Sequence, residues 1–409
     1  MNRVTRFLPL LALTLLPLGF AQTTIRISGY GGSDSGLTAR LVDEVIGDML
    51  SAEGITVQYE PLEGDYNAAL FNQLSAGQAG DIFYIPAETA PGIIATGTVL
   101  PLNDVVDTDP FIDSLMETFT VDGQIYGIPK DFNSLAVFYN KDLFDEAGVE
   151  YPTGEDTWDT FAEKLRGVSE LGDDVTGACF AADFARFGAF AYGNGWPAFD
   201  GTTADLTDPA FVEAAEWYTG LVNEGVAALP SDLGADWSGG CFGSGNVGVA
   251  IEGAWILGFL RDNAPNLQYG TTFLPTAPTG EAGNLLFTVA YGINANSPNQ
   301  EAAIKVLEAL TSDEAQQWVL EQGLAIPSRE SLADNPFFDE GTPEAEANRV
   351  VFEGASRGTV VGFQFGAVGT DFTQPINTAL TAIESGQSEV TPALEQAQGE
   401  LDALIQRAQ

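Results

Sequence analysis

IRISGY at residues 25–30, ITVQY at 55–59 and DIFYI at 81–85 are three apolar-rich runs, and how they are read decides the fold. Ile25 and Ile27 alternate in the first, and Ile55, Val57 and Tyr59 in the second. The third is continuously apolar after Asp81, the pattern of a strand buried on both faces. Between the first two runs, Leu37, Leu41, Val45 and Met49 recur every fourth residue, with Val42, Ile46 and Leu50 beside them. That is one broad apolar helical face, ended by Gly54. Between the second and third, a helix over 66–76 takes Asp65 as N-cap and Gly77 as its stop. Strand, helix, strand, helix, strand at this spacing predicts a parallel sheet with right-handed crossovers. Ligands of such sheets sit beyond the carboxyl ends of the strands. The loops at 30–35, 61–66 and 86–89 are therefore the expected functional edge.

Further along, Thr157-Trp158 opens a helix to about Leu171. Asp208-Pro209 supplies an N-cap and a proline at the first helical position, for a helix to about Asn223. Residues 247–251 form a short strand that enters Glu252-Gly253-Ala254-Trp255, and 285–293 form another. Helices are expected at 301–311, 313–322, 375–385 and 391–407. The chain shows no internal repeat and no long low-complexity linker.

Composition narrows the function. A chain of 409 residues exceeds one ordinary core and fits two lobes. Hydrophobic content of 45% with 11% aromatics is that of a globular protein. Formal net charge is −43, with lysine only at Lys130, Lys141, Lys164 and Lys305. Such a surface repels nucleic acid and anionic membranes and slows the capture of anions, which favours a neutral or cationic ligand. The absence of histidine removes histidine-based triads, histidine-ligated zinc and a histidine general base. No metal or cofactor motif is present, so no cofactor is expected.

Residues 1–21 have the layout of a secretory signal peptide: Arg3 and Arg6, an apolar stretch from Phe7 to Phe20, then Gly19 and Ala21 at a cleavage site. The mature protein is expected to begin near Gln22 and to be soluble and periplasmic, without a lipid anchor, since no cysteine follows the apolar run. In an oxidising compartment, Cys179 and Cys241 are candidates for a disulfide; two buried free thiols are the alternative.

The order of local signatures resembles the family 1 extracellular solute-binding proteins of ABC importers, the maltose-binding protein type. The likeness runs through Ala76-Gly77 to Gly80-Asp81-Ile82, Gly97 to Leu102, Gly123 to Pro129 and Phe138 to Phe144. It continues through Ala147-Gly148 with Thr157-Trp158, Val247 to Trp255, and Gly292-Ile293-Asn294-Ala295 with Ser297-Pro298-Asn299. Each fragment is weak alone; seven in order are specific. The resemblance implies an α/β two-lobed periplasmic-binding-protein fold, each lobe a mainly parallel sheet flanked by helices. The lobes would be 22–132 with 291–345, and 133–290 with 346–409. A hinge of crossing strands would join them near Asp131–Asn133, Thr288–Tyr291 and residues 340–350. It also implies a sugar ligand, permease transmembrane subunits as partners, and a monomer.

A sugar presents flat C–H faces and a ring of hydroxyls, so its site needs aromatic planes and short polar groups. The resemblance assigns Trp255 as a stacking platform, Glu252 as its polar neighbour, Asp131 and Asn133 at the first crossing with Tyr291 at the second, and Glu88 after the third strand. Asp65 follows the second strand, although it also serves as an N-cap. Tyr30, Ser33 and Asp34 stand in the first loop. Asp183, Phe184 and Arg186 align with a contact loop of the second lobe. Trp196 and Trp237 lie in glycine-rich loops, and Phe372 closes a late aromatic segment that begins at Phe363. Trp217 and Trp318, on amphipathic helices, are packing residues. Two other readings stay open. One is the same fold binding a polyamine or other small cation through its acids and aromatics. The other is a secreted glycoside hydrolase, which would need a fixed carboxylate pair that the sequence does not single out.

Overall fold

A computed structural model describes residues 22–31, 35–323 and 325–408. The expected signal peptide, Ser33 and Asp34 lie outside the described residues. Strands β1 (Thr23–Tyr30), β2 (Ile55–Leu62) and β3 (Ile82–Pro86) follow the opening pattern. A small hairpin, β4 (Thr120–Val121) and β5 (Gln124–Ile125), precedes β6 (Ile128–Ser134), and β7 (Ala136–Asn140) starts one residue later. Then come β8 (Thr176–Cys179), β9 (Ala227–Ala228), β10 (Val247–Glu252), β11 (Tyr269–Thr272), β12 (Gly283–Ile293) and β13 (Thr359–Gly362).

These strands form two helix-flanked α/β sheets. In the first, ordered β13-β12-β3-β1-β2, β1 is parallel to both β2 and β3, as the crossover spacing requires. β12 joins antiparallel to β3 and to β6, and β13 is parallel to β12. The second sheet is ordered β11-β7-β10-β8-β9; β10 is parallel to β8 and antiparallel to β7. The antiparallel pairs come from segments that pass between the sheets. β6 ends in the first sheet, Leu135 turns the chain, and β7 begins in the second.

Local signals account for most helix boundaries. Asp65 accepts the Ala68 N–H at 3.1 Å and Gly77 closes the same helix at φ 65°. Asp208 caps the helix Pro209–Asn223 through the Ala210 N–H. The expected helix over 37–50 is more irregular. It is α-helical over Ser35–Arg40 and Gly47–Leu50, with a π-helical stretch, Leu41–Ile46, between. A four-residue repeat drifts around an α-helix of 3.6 residues per turn, and the wider π turn reduces that drift. Leu41 and Val45 are buried, while Met49 is 37% exposed.

Among the described residues the buried apolar side chains gather in three clusters. Ile25, Ile27, Phe83 and Val306 belong to the one around the first sheet. Phe161, Phe187, Phe211 and Leu380 belong to a second. Phe138, Phe242, Phe338 and Val351 belong to a third. Each such aromatic or large aliphatic burial contributes roughly 1.5–3 kcal/mol. In the stretch where the third crossing is expected, Thr342 caps and Pro343 starts a helix, Pro343–Gly354. The chain meets the first crossing earlier, where the Phe132 N–H donates to the Ile326 carbonyl at 2.9 Å.

Cys179, at the end of β8, is bonded to Cys241 in the helix Ser238–Gly243, with Cα atoms 6.4 Å apart. With 62 residues of sequence separation between them, closing that loop stabilises the fold by about 4 kcal/mol in the chain-entropy picture. Among the described residues no helix is long and apolar enough to cross a membrane.

Candidate functional site

A cleft of about 230 Å³ opens where the carboxyl ends of β1 and β3 face the turn after β10, with β6 and β12 behind it. Its wall on the side of the first sheet is built from tyrosines. The Tyr66 hydroxyl donates to the Tyr84 carbonyl at 2.9 Å and accepts the Tyr84 N–H at 2.9 Å. Tyr30 packs edge-on against Tyr66 and Tyr84, with centroids 4.7 and 5.3 Å away. The Tyr59 hydroxyl donates to the Tyr30 carbonyl at 2.6 Å. Burial pushes the phenols of Tyr30 and Tyr84 well above their ordinary range, so both remain hydroxyls that can donate and accept.

The crossing strand β6 forms the back. Lys130 forms an ion pair with Asp131, and its ammonium lies 5.2 Å from the centre of the Tyr84 ring. The charges of this pair therefore cancel within the cleft. The Asp131 carbonyl accepts the Thr288 hydroxyl at 2.8 Å, which ties β6 to β12. Asn133 accepts the Ala254 N–H through Oδ1 at 3.0 Å. Its amide nitrogen has no partner among the described residues and can donate into the cleft.

Glu88 enters from the loop after β3. Burial pushes its carboxyl up to about 7, with its own backbone N–H pulling the other way. Among the described residues no basic side chain pairs with it. Gly369, at φ 60° and ψ −151°, lies beside the Glu88 backbone. A Cβ there would lie 3.6 Å from the Glu88 carbonyl.

Trp255 forms the opposite wall, with Phe287 perpendicular to it at 5.4 Å and Phe363 beyond at 5.0 Å from Phe287. The indole packs over Gly253, where a Cβ would come within 2.4 Å of the ring. Its N–H donates to Glu252 Oε2 at 2.7 Å. Burial pushes the Glu252 carboxyl up and the Arg186 charge opposes it.

Tyr30, Glu88, Asp131, Asn133 and Trp255, five of the expected contacts, thus line one cleft. The other expected contacts sit elsewhere. Glu252, Arg186 and Asp183 form a polar group behind Trp255. Phe184 and Phe372 are both 0% exposed and pack with Phe365. Trp196 is 2% exposed, its N–H given to the Asp205 carbonyl. Trp237 lies against Phe259 beside the disulfide, and Tyr291 is buried beneath Tyr84. Asp65 is an exposed helix cap. Tyr59, Tyr84, Lys130, Phe287 and Thr288 line the cleft but were not among the expected contacts. Tyr59 and Tyr84 stand near the carboxyl ends of predicted strands, a signal that would have found them. Phe287 and Thr288 depend on how β12 pairs.

A family model described as bacterial extracellular solute-binding protein matches residues 47–346. The diacetylchitobiose binding protein DasA of Streptomyces coelicolor is 27% identical over 83% of this chain and 80% of its own length. Among solved structures, an ABC substrate-binding protein of Listeria monocytogenes in complex with cycloalternan superposes with a TM-score of 0.84 at 23% identity, over 94% of this chain and 100% of that one. The GacH receptor of Streptomyces glaucescens, solved unliganded and with acarbose, gives 0.83 at 21% identity, over 95% and 99%.

Proposed function

Since the chain belongs to the bacterial extracellular solute-binding proteins, we propose that it captures a sugar between two lobes and delivers it, chemically unchanged, to the membrane subunits of an ABC importer. One observation carries this reading. An aromatic platform, Trp255, faces tyrosine hydroxyls and the Glu88 carboxyl across a single cleft, with Asp131 and Asn133 on the strand between. Flat apolar surface opposite a ring of short donors and acceptors matches the two faces of a pyranose. DasA is named for diacetylchitobiose, and the two solved relatives hold cycloalternan and acarbose, which supports a carbohydrate ligand here. The volume of about 230 Å³ falls below the range of about 300–1,000 Å³ typical of drug-sized ligands, which favours one or two sugar rings within the cleft.

In this reading residues 22–132 and roughly 291–325 make one lobe, and 133–290 with 326–408 the other. Ligand bound to both lobes stabilises the closed form by its differential affinity. Export by removal of residues 1–21 would leave a monomeric periplasmic protein that begins at Gln22. Mass spectrometry of the secreted chain tests that point.

Glu88, an acid without a basic partner among aromatics, favours a second ligand class, a polyamine or similar cation. A thermal-shift panel separates the two, since a ligand at a hundred times its Kd stabilises by about 2.7 kcal/mol. A shift with one or more mono- or disaccharides is expected. A shift with polyamine and with no sugar would overturn the sugar reading. Release of cleaved product from an oligosaccharide would overturn capture without chemistry.

A further inference from the structure

Glu252 ends β10 with its side chain 0% exposed. One of its oxygens, Oε2, accepts both the Trp255 indole N–H at 2.7 Å and an Arg186 Nη2–H at 2.6 Å. The Arg186 guanidinium carbon lies 5.7 Å from the centre of the Trp255 ring, and its Nη1 is 3.4 Å from Asp183 Oδ2. A buried ion pair is poor value as a stabiliser, because apolar residues of the same volume commonly serve as well or better. Stability therefore does not explain why this pair is there.

Its geometry does. An indole on a short turn is free to rotate about two side-chain torsions. Here the N–H edge is held by a carboxylate, the benzo edge lies on Gly253 where no Cβ could fit, and Phe287 stands at 90° to the ring. Arg186 in turn holds the carboxylate oxygen in place. We infer that Glu252, supported by Arg186, is a positioning residue that fixes Trp255 in the orientation a ligand meets, without itself touching the ligand. The inference rests on the reading of Trp255 as a sugar platform. Freeing a platform of this kind returns rotamer freedom that binding must then remove, a loss of roughly threefold to tenfold in affinity.

The test uses the mature chain with Glu252→Met, which removes the acceptor, and Glu252→Gln, which keeps an acceptor oxygen. The first readout is the indole N–H signal of Trp255 in nitrogen-15 spectra of the ligand-free protein, assigned by its loss in Trp255→Phe. It is expected to move upfield and broaden in Glu252→Met and to be largely restored in Glu252→Gln. The second is calorimetric titration with whichever sugar gives the largest thermal shift. Kd should rise roughly threefold to tenfold in Glu252→Met. The same change in a Trp255→Phe background should alter Kd by less than about twofold. An unmoved indole signal, an unchanged Kd, or an equal loss in both backgrounds would overturn the inference. Should Glu252→Met fail to fold, Arg186→Lys, which breaks the two-residue fork but keeps the charge, is expected to change both readouts in the same direction. If no sugar binds the wild type, the sugar reading fails, while the indole signal still decides whether Glu252 pins Trp255.

Discussion

Asn133 on the crossing strand β6 holds the turn that carries Trp255: its Oδ1 accepts the Ala254 N–H at 3.0 Å. Both groups are buried, so Asn133→Ala leaves an N–H without water or partner. A loss of about 1–3 kcal/mol is expected in urea unfolding. Ligand affinity should fall as well, because the crossing strand and the aromatic wall are no longer tied. Asn133→Asp keeps the acceptor and should retain more stability than Asn133→Ala.

Glu384 ends the helix Thr373–Glu384 at 8% exposure, and neither carboxyl oxygen has a partner among the described residues. Burial, then the negative charges of Asp183 and Asp232, push it from 4.5 up to about 8. Between those two values the unfolded chain has released its proton and the folded chain has not. Stability therefore falls as pH rises from about 4.5 to about 8, and the loss is constant above that. Glu384→Gln removes the titration. It should match wild type near pH 4 and exceed it by a few kcal/mol near pH 9, as read from melting curves at the two values.

Burial pushes the Glu88 carboxyl up to about 7. Hydroxyls of a neutral sugar that donate to it favour the ionised form and lower its pKa on binding. Affinity should therefore rise as pH goes from 6 to 8, with proton release, by at most about tenfold. Calorimetry in buffers of different ionisation enthalpy measures the released proton directly. Glu88→Gln should flatten the profile.

Two glycines should respond to alanine with opposite signs. Gly369 holds a backbone conformation open in practice only to glycine, and Gly369→Ala should destabilise by about 1–3 kcal/mol. Gly220 lies inside the helix Pro209–Asn223 with open space where a Cβ would go. Gly220→Ala should stabilise by roughly 0.5–1 kcal/mol. Denaturant midpoints of the two variants provide the comparison.

What could be read in the sequence was chiefly what local chemistry decides. Asp65, Asp208-Pro209 and the alternating run at 55–59 state their roles within a few residues, and β1 to β3 follow from them. Trp255 and Glu88 follow strand ends that the family likeness aligns, and Asp131 stands within the crossing strand that the same likeness points to. Trp196 shows where such reading stops. A tryptophan in a glycine-rich loop resembles a binding wall until the Asp205 carbonyl and the Tyr192 and Phe211 rings are seen around it. Phe287 and Thr288 were hidden for a related reason: their exposure to the cleft is set by pairing of β12 with β6, more than a hundred residues away in the chain.

The tyrosine wall has a kinetic consequence. Tyr66 is bonded on both sides of its hydroxyl and Tyr30, Tyr59 and Tyr84 are packed around it, so these four rings are already in place when a ligand arrives. A first encounter on this wall can proceed as a rigid docking event, at a rate nearly the same for related sugars. Discrimination among them then falls to how long each remains seated against Trp255 on the opposite wall. Congeners should differ in residence time far more than in arrival.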